Sequence, residues 1–205
     1  MSNDLFILGW LEDPDLANDC LAILRDKAAR YRTQGVYEDD TRAIFVETLL
    51  RGLSWDTLDH EQVDRESNRE EPTIADIHLG GKNPQRIWKV AAIIEAKRLD
   101  ASPSGLRLAY VQLRGYVLNT LFNAPAGSNN EKMRLQLDGE PFVRGVVTNG
   151  ACWSVYDFDP AVVDVPPENH LEICDFELQG DGDPSQLIRA LGRNYLLNRL
   201  GLSAT

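Results

Sequence analysis

Five apolar residues in a row, Val90-Ala91-Ala92-Ile93-Ile94, run straight into Glu95-Ala96-Lys97, and no other stretch restricts the fold as much. Read as a strand from about Ile87 to Leu99, the run is buried. Side chains alternate along a strand, so Glu95 and Lys97 share one face. A carboxylate at the end of a buried strand is costly unless it finds a partner. A second acid, Asp76, lies in the extended-looking segment Thr73-Ile74-Ala75-Asp76-Ile77-His78-Leu79, and Gly80-Gly81-Lys82-Asn83-Pro84 reads as the turn between the two segments. Paired as a hairpin, they bring Asp76 close to Glu95. Two acids and an amine gathered there form either a cross-strand salt-bridge cluster or a site for a hard cation.

The rest of the chain supplies helices and a second hairpin. Asp13-Pro14 reads as an N-cap with proline at the first helical position, opening a helix with Leu16, Cys20, Leu21, Leu24, Ala28 and Tyr31 at helical spacing and an end near Gln34-Gly35. A second helix starts around Asp40-Thr41 and carries Ala43, Val46, Leu50 and Leu53 on one stripe. Glu47 borders that stripe, either as a site residue or as the i, i+4 partner of Arg51. Residues 59–71, with six acids and two arginines, read as a solvated loop or frayed helix. A helix is expected from about Leu106 to Phe122, with Gln112 and Tyr116 neighbours on one face. Phe142–Thr148 and Cys152–Phe158 flank Asn149-Gly150, a strong hairpin signal. A strand over Leu171–Leu178 and a final helix begun by Asp183-Pro184 complete an α/β pattern, a mixed β-sheet with helices on both faces.

Composition narrows the setting. The 205 residues read as a single domain over 1–205, with a core at about 39–157, an N-terminal helix and an acidic C-terminal strand–helix extension. No segment has the length and apolarity of a membrane span, and Met1-Ser2-Asn3-Asp4 lacks the basic flank of a signal peptide, so a cytoplasmic protein is expected. Cys20, Cys152 and Cys174 are too scattered for zinc spacing and read as inert thiols. The net charge of −11 opposes nucleic-acid binding, yet residues 82–114 hold seven basic residues against two acids. Arg86, Lys89, Arg98, Arg107 and Arg114 are therefore candidate phosphate contacts. Residues 157–183 hold nine acids and no lysine or arginine, which serve solubility or face a basic partner.

Several elements in order resemble the PD-(D/E)xK nuclease superfamily, in particular the N-terminal nuclease domain of type I restriction motor subunits. They are the helix from Asp39-Asp40-Thr41-Arg42 through Glu47 to Gly52-Leu53-Ser54-Trp55-Asp56; Asp76; Ile94-Glu95-Ala96-Lys97; Gln112 with Tyr116; and Thr148-Asn149-Gly150 with Trp153 and Tyr156. The match covers roughly residues 39 to 157. Ala75 stands where many relatives have proline before the aspartate. The resemblance implies a restriction-endonuclease-like fold and a Mg2+- or Mn2+-dependent endonuclease. Asp76, Glu95 and the Ala96 carbonyl would be the metal ligands, with Glu47 supporting a second metal or a ligand water. Lys97 would handle the attacking water, and Gln112 would position the scissile phosphate with Tyr116 packed behind it. The expected substrate is DNA, with RNA left open, in restriction or another nucleic-acid-processing pathway. A protein partner that supplies specificity, and a homodimer, are both compatible with the chain. Gly80-Gly81-Lys82 lacks the upstream glycine of a phosphate loop, so no ATP site is expected. The rival reading is a non-catalytic module that keeps the fold and binds nucleic acid or a protein partner.

Overall fold

A computed structural model describes residues 14–31, 34–65, 75–86, 88–117, 136–137, 140–141, 143–158 and 171–202. Helix α1 (Pro14–Tyr31) leads to a helical segment built from α2 (Glu38–Thr41), a π-helical stretch over Arg42–Val46 and α3 (Glu47–Gly52). Strands β1 (Val63–Arg65), β2 (Ile77–Lys82) and β3 (Trp88–Ala96) follow, then α4 (Pro103–Tyr116). After the two-residue strands β4 (Gln136–Leu137) and β5 (Glu140–Pro141) come β6 (Val143–Thr148), β7 (Cys152–Phe158) and β8 (Leu171–Glu177). Helices α5 (Pro184–Leu191) and α6 (Arg193–Arg199) end the described chain.

Six strands form one sheet in the order β1-β2-β3-β6-β7-β8, and β4 pairs with β5 separately. Every neighbouring pair in the large sheet is antiparallel except β3 and β6, which are parallel. A parallel pair needs a crossover, and α4 lies on the chain between β3 and β6. The sheet is thus mixed and covered on both faces. Ile77, Leu79, Ala92, Ile94 and Val146 pack with α1, α3, α5 and α6 on one side. On the other side Val90, Ile93, Val147 and Phe158 pack with Ala109, Tyr110, Leu113 and Tyr116 of α4. Gly145 permits that second contact, because a Cβ there would sit 2.3 Å from Phe158 and 2.9 Å from Leu113.

The expected α/β class, the two hairpins and the strand near Leu171 are present. Several boundaries differ for physical reasons. Strand β2 runs on through Gly80-Gly81-Lys82 and pairs them with Val90, Lys89 and Trp88, so the turn shifts to about 83–86. Gly80 serves close packing instead: a Cβ there would lie 2.4 Å from the Trp88 ring. Within the acidic stretch 59–71, Val63–Arg65 forms an edge strand against Ile77–Leu79, while residues 66–71 fall outside the described residues. Helix α4 starts three residues early, at Pro103, since the Ser102 hydroxyl accepts from the Gly105 N–H and caps it. Its expected continuation to Phe122 lies outside the described residues. The final helix breaks at Gly192, whose extended ψ of 130° separates α5 from α6. Neither terminal unit is an appendage: Leu21 and Leu24 of α1, Phe176 of β8 and Leu187 and Leu191 of α5 are buried in one cluster with β2 and β3.

Candidate functional site

Register places the two acids. Ile77 faces Ile94 across the β2–β3 ladder, so Asp76, just before β2, comes beside Glu95 and Ala96. Asp76 is 6% exposed. Its Oδ2 accepts the Ala96 N–H at 2.6 Å and its Oδ1 accepts from Arg42 Nη1 at 2.7 Å. Arg42 is also paired with Asp39. Two residues after Glu95, Lys97 donates from Nζ to Glu95 Oε1 at 2.7 Å, and the Glu38 carboxylate lies 4.0 Å from the same nitrogen. The side chains of Asp76, Glu95 and Lys97 therefore meet at the C-terminal end of β3, with Glu38 of α2 and Arg42 at the start of the π-helical stretch beside them.

Burial sets the electrostatics. It pushes Glu95 up to about 7 against the opposing ion pair with Lys97, and Asp76 and Glu38 add to the rise. Asp76 is raised as well, again by burial, which outweighs the Ala96 N–H and the Arg42 and Lys97 charges. Burial works against the Lys97 ammonium, but Glu95, Glu38 and Asp76 together hold its pKa above the ordinary lysine value. Burial disfavours the ionised form of both carboxylates, and the nearby Arg42 and Lys97 offset it only in part.

The segment leaving β3 is locked in place. Lys97 N–H donates to the Thr148 carbonyl at 2.8 Å, Leu99 N–H to the Thr41 hydroxyl at 3.1 Å, and Asn149 Nδ2 to the Leu99 carbonyl at 3.3 Å. Asn149 Oδ1 accepts from Ala151 and Cys152, closing the β6–β7 turn, and Gly150 holds φ at 82° with its Cα against Phe45. Thr148-Asn149-Gly150 is therefore a clamp on the Lys97–Ala101 segment. Trp153 is buried and donates to the Gly150 carbonyl.

Other expected site residues lie elsewhere. Glu47 does not join the cluster: Arg65 clasps its carboxylate through two bonds of 2.7 and 2.9 Å, and Arg51 stands off at 4.0 Å. Gln112 is exposed on α4. Tyr116 is buried, but its hydroxyl meets His78 Nε2 at 3.0 Å. His78, two residues after Asp76, is 1% exposed. The five candidate phosphate contacts form no single surface. Arg86 sits in the β2–β3 turn, Lys89 is on the opposite sheet face to Val90, and both are roughly 20 Å or more along β3 from Glu95. Arg98 is paired with Asp100, while Arg107 and Arg114 are on α4. Cys20, Cys152 and Cys174 form no disulfide among the described residues; Cys174 is buried and Cys20 and Cys152 are partly so.

No family model, curated protein or solved structure matches this chain. The chemistry rests on the residues themselves. Among the described residues no group of three or more His, Cys, Asp or Glu side chains is gathered to hold a metal ion. What the site offers is a carboxylate pair plus the Ala96 backbone, and magnesium is commonly held by one or two carboxylates with waters and substrate phosphate completing its shell. Asp76 and Glu95 supply two such carboxylates, each ion-paired here, with Arg42 and with Lys97. No helix among the described residues is long and apolar enough to cross a membrane.

Proposed function

We propose that this chain is a metal-dependent endonuclease with a restriction-endonuclease-like fold, akin to the PD-(D/E)xK nucleases, hydrolysing phosphodiester bonds of DNA. The observation that carries the reading is the meeting of Asp76, Glu95 and Lys97 at one strand end, with Asp76 buried, Glu95 partly buried and both acids raised in pKa. Asp76, Glu95 and the Ala96 carbonyl would hold a magnesium or manganese ion. When bound, that ion lowers the pKa of water and offsets phosphate charge. Lys97 orients the attacking water and neutralises the phosphate as one P–O bond forms and the opposite one breaks. Its 2.7 Å bond to Glu95 fixes the ammonium on the reacting face. Glu38 takes the supporting role assigned by sequence to Glu47, since it is the helix carboxylate beside Lys97. Partners that supply DNA specificity belong to the same reading.

One observation favours the non-catalytic alternative: each acid is already ion-paired, Asp76 with Arg42 and Glu95 with Lys97. Incubation of the purified chain with supercoiled plasmid and with single-stranded DNA, in magnesium, manganese or chelator, separates the two. Cleavage that chelator abolishes supports the nuclease; binding without cleavage in every condition supports the module.

A further inference from the structure

Both acids of the candidate centre are held by a cation, and each of those cations has a second acid on α2. Lys97 Nζ lies 2.7 Å from Glu95 Oε1 and 4.0 Å from Glu38 Oε1. Arg42 reaches two carboxylates with different nitrogens: Nη1 donates to Asp76 Oδ1 at 2.7 Å, and Nη2 donates to Asp39 Oδ1. Those two acids differ sharply in their access to water, because the Asp76 side chain is 8% exposed and that of Asp39 is 83% exposed. Arg42, at 27%, stands between them. Its position relative to Asp39 is set by the backbone, since the Arg42 N–H donates to the Glu38 and Asp39 carbonyls where α2 passes into the π-helical stretch.

The two oxygens of Asp76 are held differently. Oδ2 accepts the Ala96 N–H, a backbone bond that fixes the carboxylate in place, whereas Oδ1 accepts from a side chain that has another partner. A guanidinium and a divalent cation on one buried carboxylate repel each other, and burial leaves that repulsion weakly screened. Releasing Nη1 costs Arg42 little, because Nη2 stays on Asp39 and part of the guanidinium already meets water. With Asp76 as its sole carboxylate, the same release would leave a partly buried charge uncompensated, which is the costly case. Asp39 therefore makes the Arg42–Asp76 pair one that can open.

We infer that Arg42 is a displaceable counter-ion of Asp76: it yields Oδ1 to a divalent cation and keeps Asp39 as its remaining carboxylate partner. The inference rests on the metal-site reading above and gives Arg42 and Asp39 an electrostatic part in it. The test is calorimetric titration of the full chain with manganese, with a dichroism spectrum of each protein. Arg42→Gln removes the charge but keeps a hydrogen-bond donor, and Arg42→Lys keeps the charge. Asp39→Asn removes the second partner, while Asp40→Asn removes an exposed charge at the next position as the control for charge alone. Arg42→Gln should bind manganese at least about tenfold more tightly than wild type, and Arg42→Lys should stay within about threefold of it. Asp39→Asn should bind at least about threefold more weakly than Asp40→Asn, because release then strands the guanidinium. Adding Asp76→Asn to Arg42→Gln should abolish the gain. Equal or weaker binding by a folded Arg42→Gln overturns the inference, and the metal reading survives if Asp76→Asn alone still weakens binding. Manganese binding that Asp76→Asn leaves unchanged, or no binding by any of the proteins, overturns both together. Should Arg42→Gln fail to fold, the comparison of Asp39→Asn with Asp40→Asn decides, and equal affinities there overturn the inference.

Discussion

Replacing Glu95 with glutamine should make the protein's stability less sensitive to pH, and the structure sets the size of the change. Glu95 has an ordinary carboxyl value of 4.5 when exposed and is pushed up to about 7 in the fold, first by burial. Between those two values the folded chain binds a proton that the unfolded chain has released. Stability therefore falls as pH rises through this window, and the penalty is complete above the folded value. At roughly 1.4 kcal/mol per unit the full effect is about 3 kcal/mol. Its upper bound is not reached if Lys97 relaxes toward Glu38. Urea unfolding of wild type and Glu95→Gln from about pH 4 to about pH 8 isolates the contribution, because carboxyls common to both proteins cancel. The glutamine variant should gain on wild type by about 1–3 kcal/mol across that range. A difference that stays flat, or that moves the other way, would refute burial as the dominant influence on Glu95 and make the Lys97 ion pair the controlling one.

A cation that binds at the same place should reverse that penalty. Magnesium or manganese at 100 times its dissociation constant should stabilise wild type by about 2.7 kcal/mol, seen as a rise of a few degrees in Tm. Asp76→Asn with Glu95→Gln should not respond, and an equal rise in both proteins would move the ion elsewhere. Asn149→Ala removes the amide that ties the β6–β7 turn to Leu99, leaving buried groups unsatisfied, and should cost about 1–3 kcal/mol in urea unfolding. Replacing Arg98, Arg107 and Arg114 with alanine should flatten the salt dependence of DNA affinity, while Arg86→Ala with Lys89→Ala, far along β3, should leave it unchanged. The reverse pattern in a filter-binding or anisotropy series would place the DNA surface at the β2–β3 turn.

The parts of this fold that rest on strict alternation were readable. Val90–Ile94 announced a buried strand, and its parity set Glu95 and Lys97 on one face. Asn149-Gly150 announced the β6–β7 turn, although the bonds of Thr148 to Lys97 and of Asn149 to Leu99 join segments about 50 residues apart, which no local pattern encodes. Glu47 was left between a site residue and the i, i+4 partner of Arg51; it lies 4.0 Å from Arg51 and is held more closely by Arg65, a partner 18 residues away that helical spacing does not encode. The signal that could have found Glu38 was its place in the first turn, four residues before Arg42, on the side that meets Asp76. Lys82 and the glycines before it looked like a turn because glycine pairs usually are; here the Trp88 ring needs the space instead. The basic balance of 82–114 was real, but the β2–β3 turn at about 83–86, strand β3 and helix α4 spread it over separate elements.

Cleavage of supercoiled plasmid in magnesium by wild type, Asp76→Asn and Lys97→Ala, each with a matching dichroism spectrum, bears on the endonuclease reading more directly than any other experiment. Wild type should nick the plasmid and both variants should lose activity by at least about a hundredfold, the scale expected for a positioned acid–base or electrostatic group, with their spectra unchanged. Cleavage by either variant at the wild-type rate, or a wild type that binds DNA without cutting it in any metal, would contradict the assignment of Asp76, Glu95 and Lys97 as a catalytic centre.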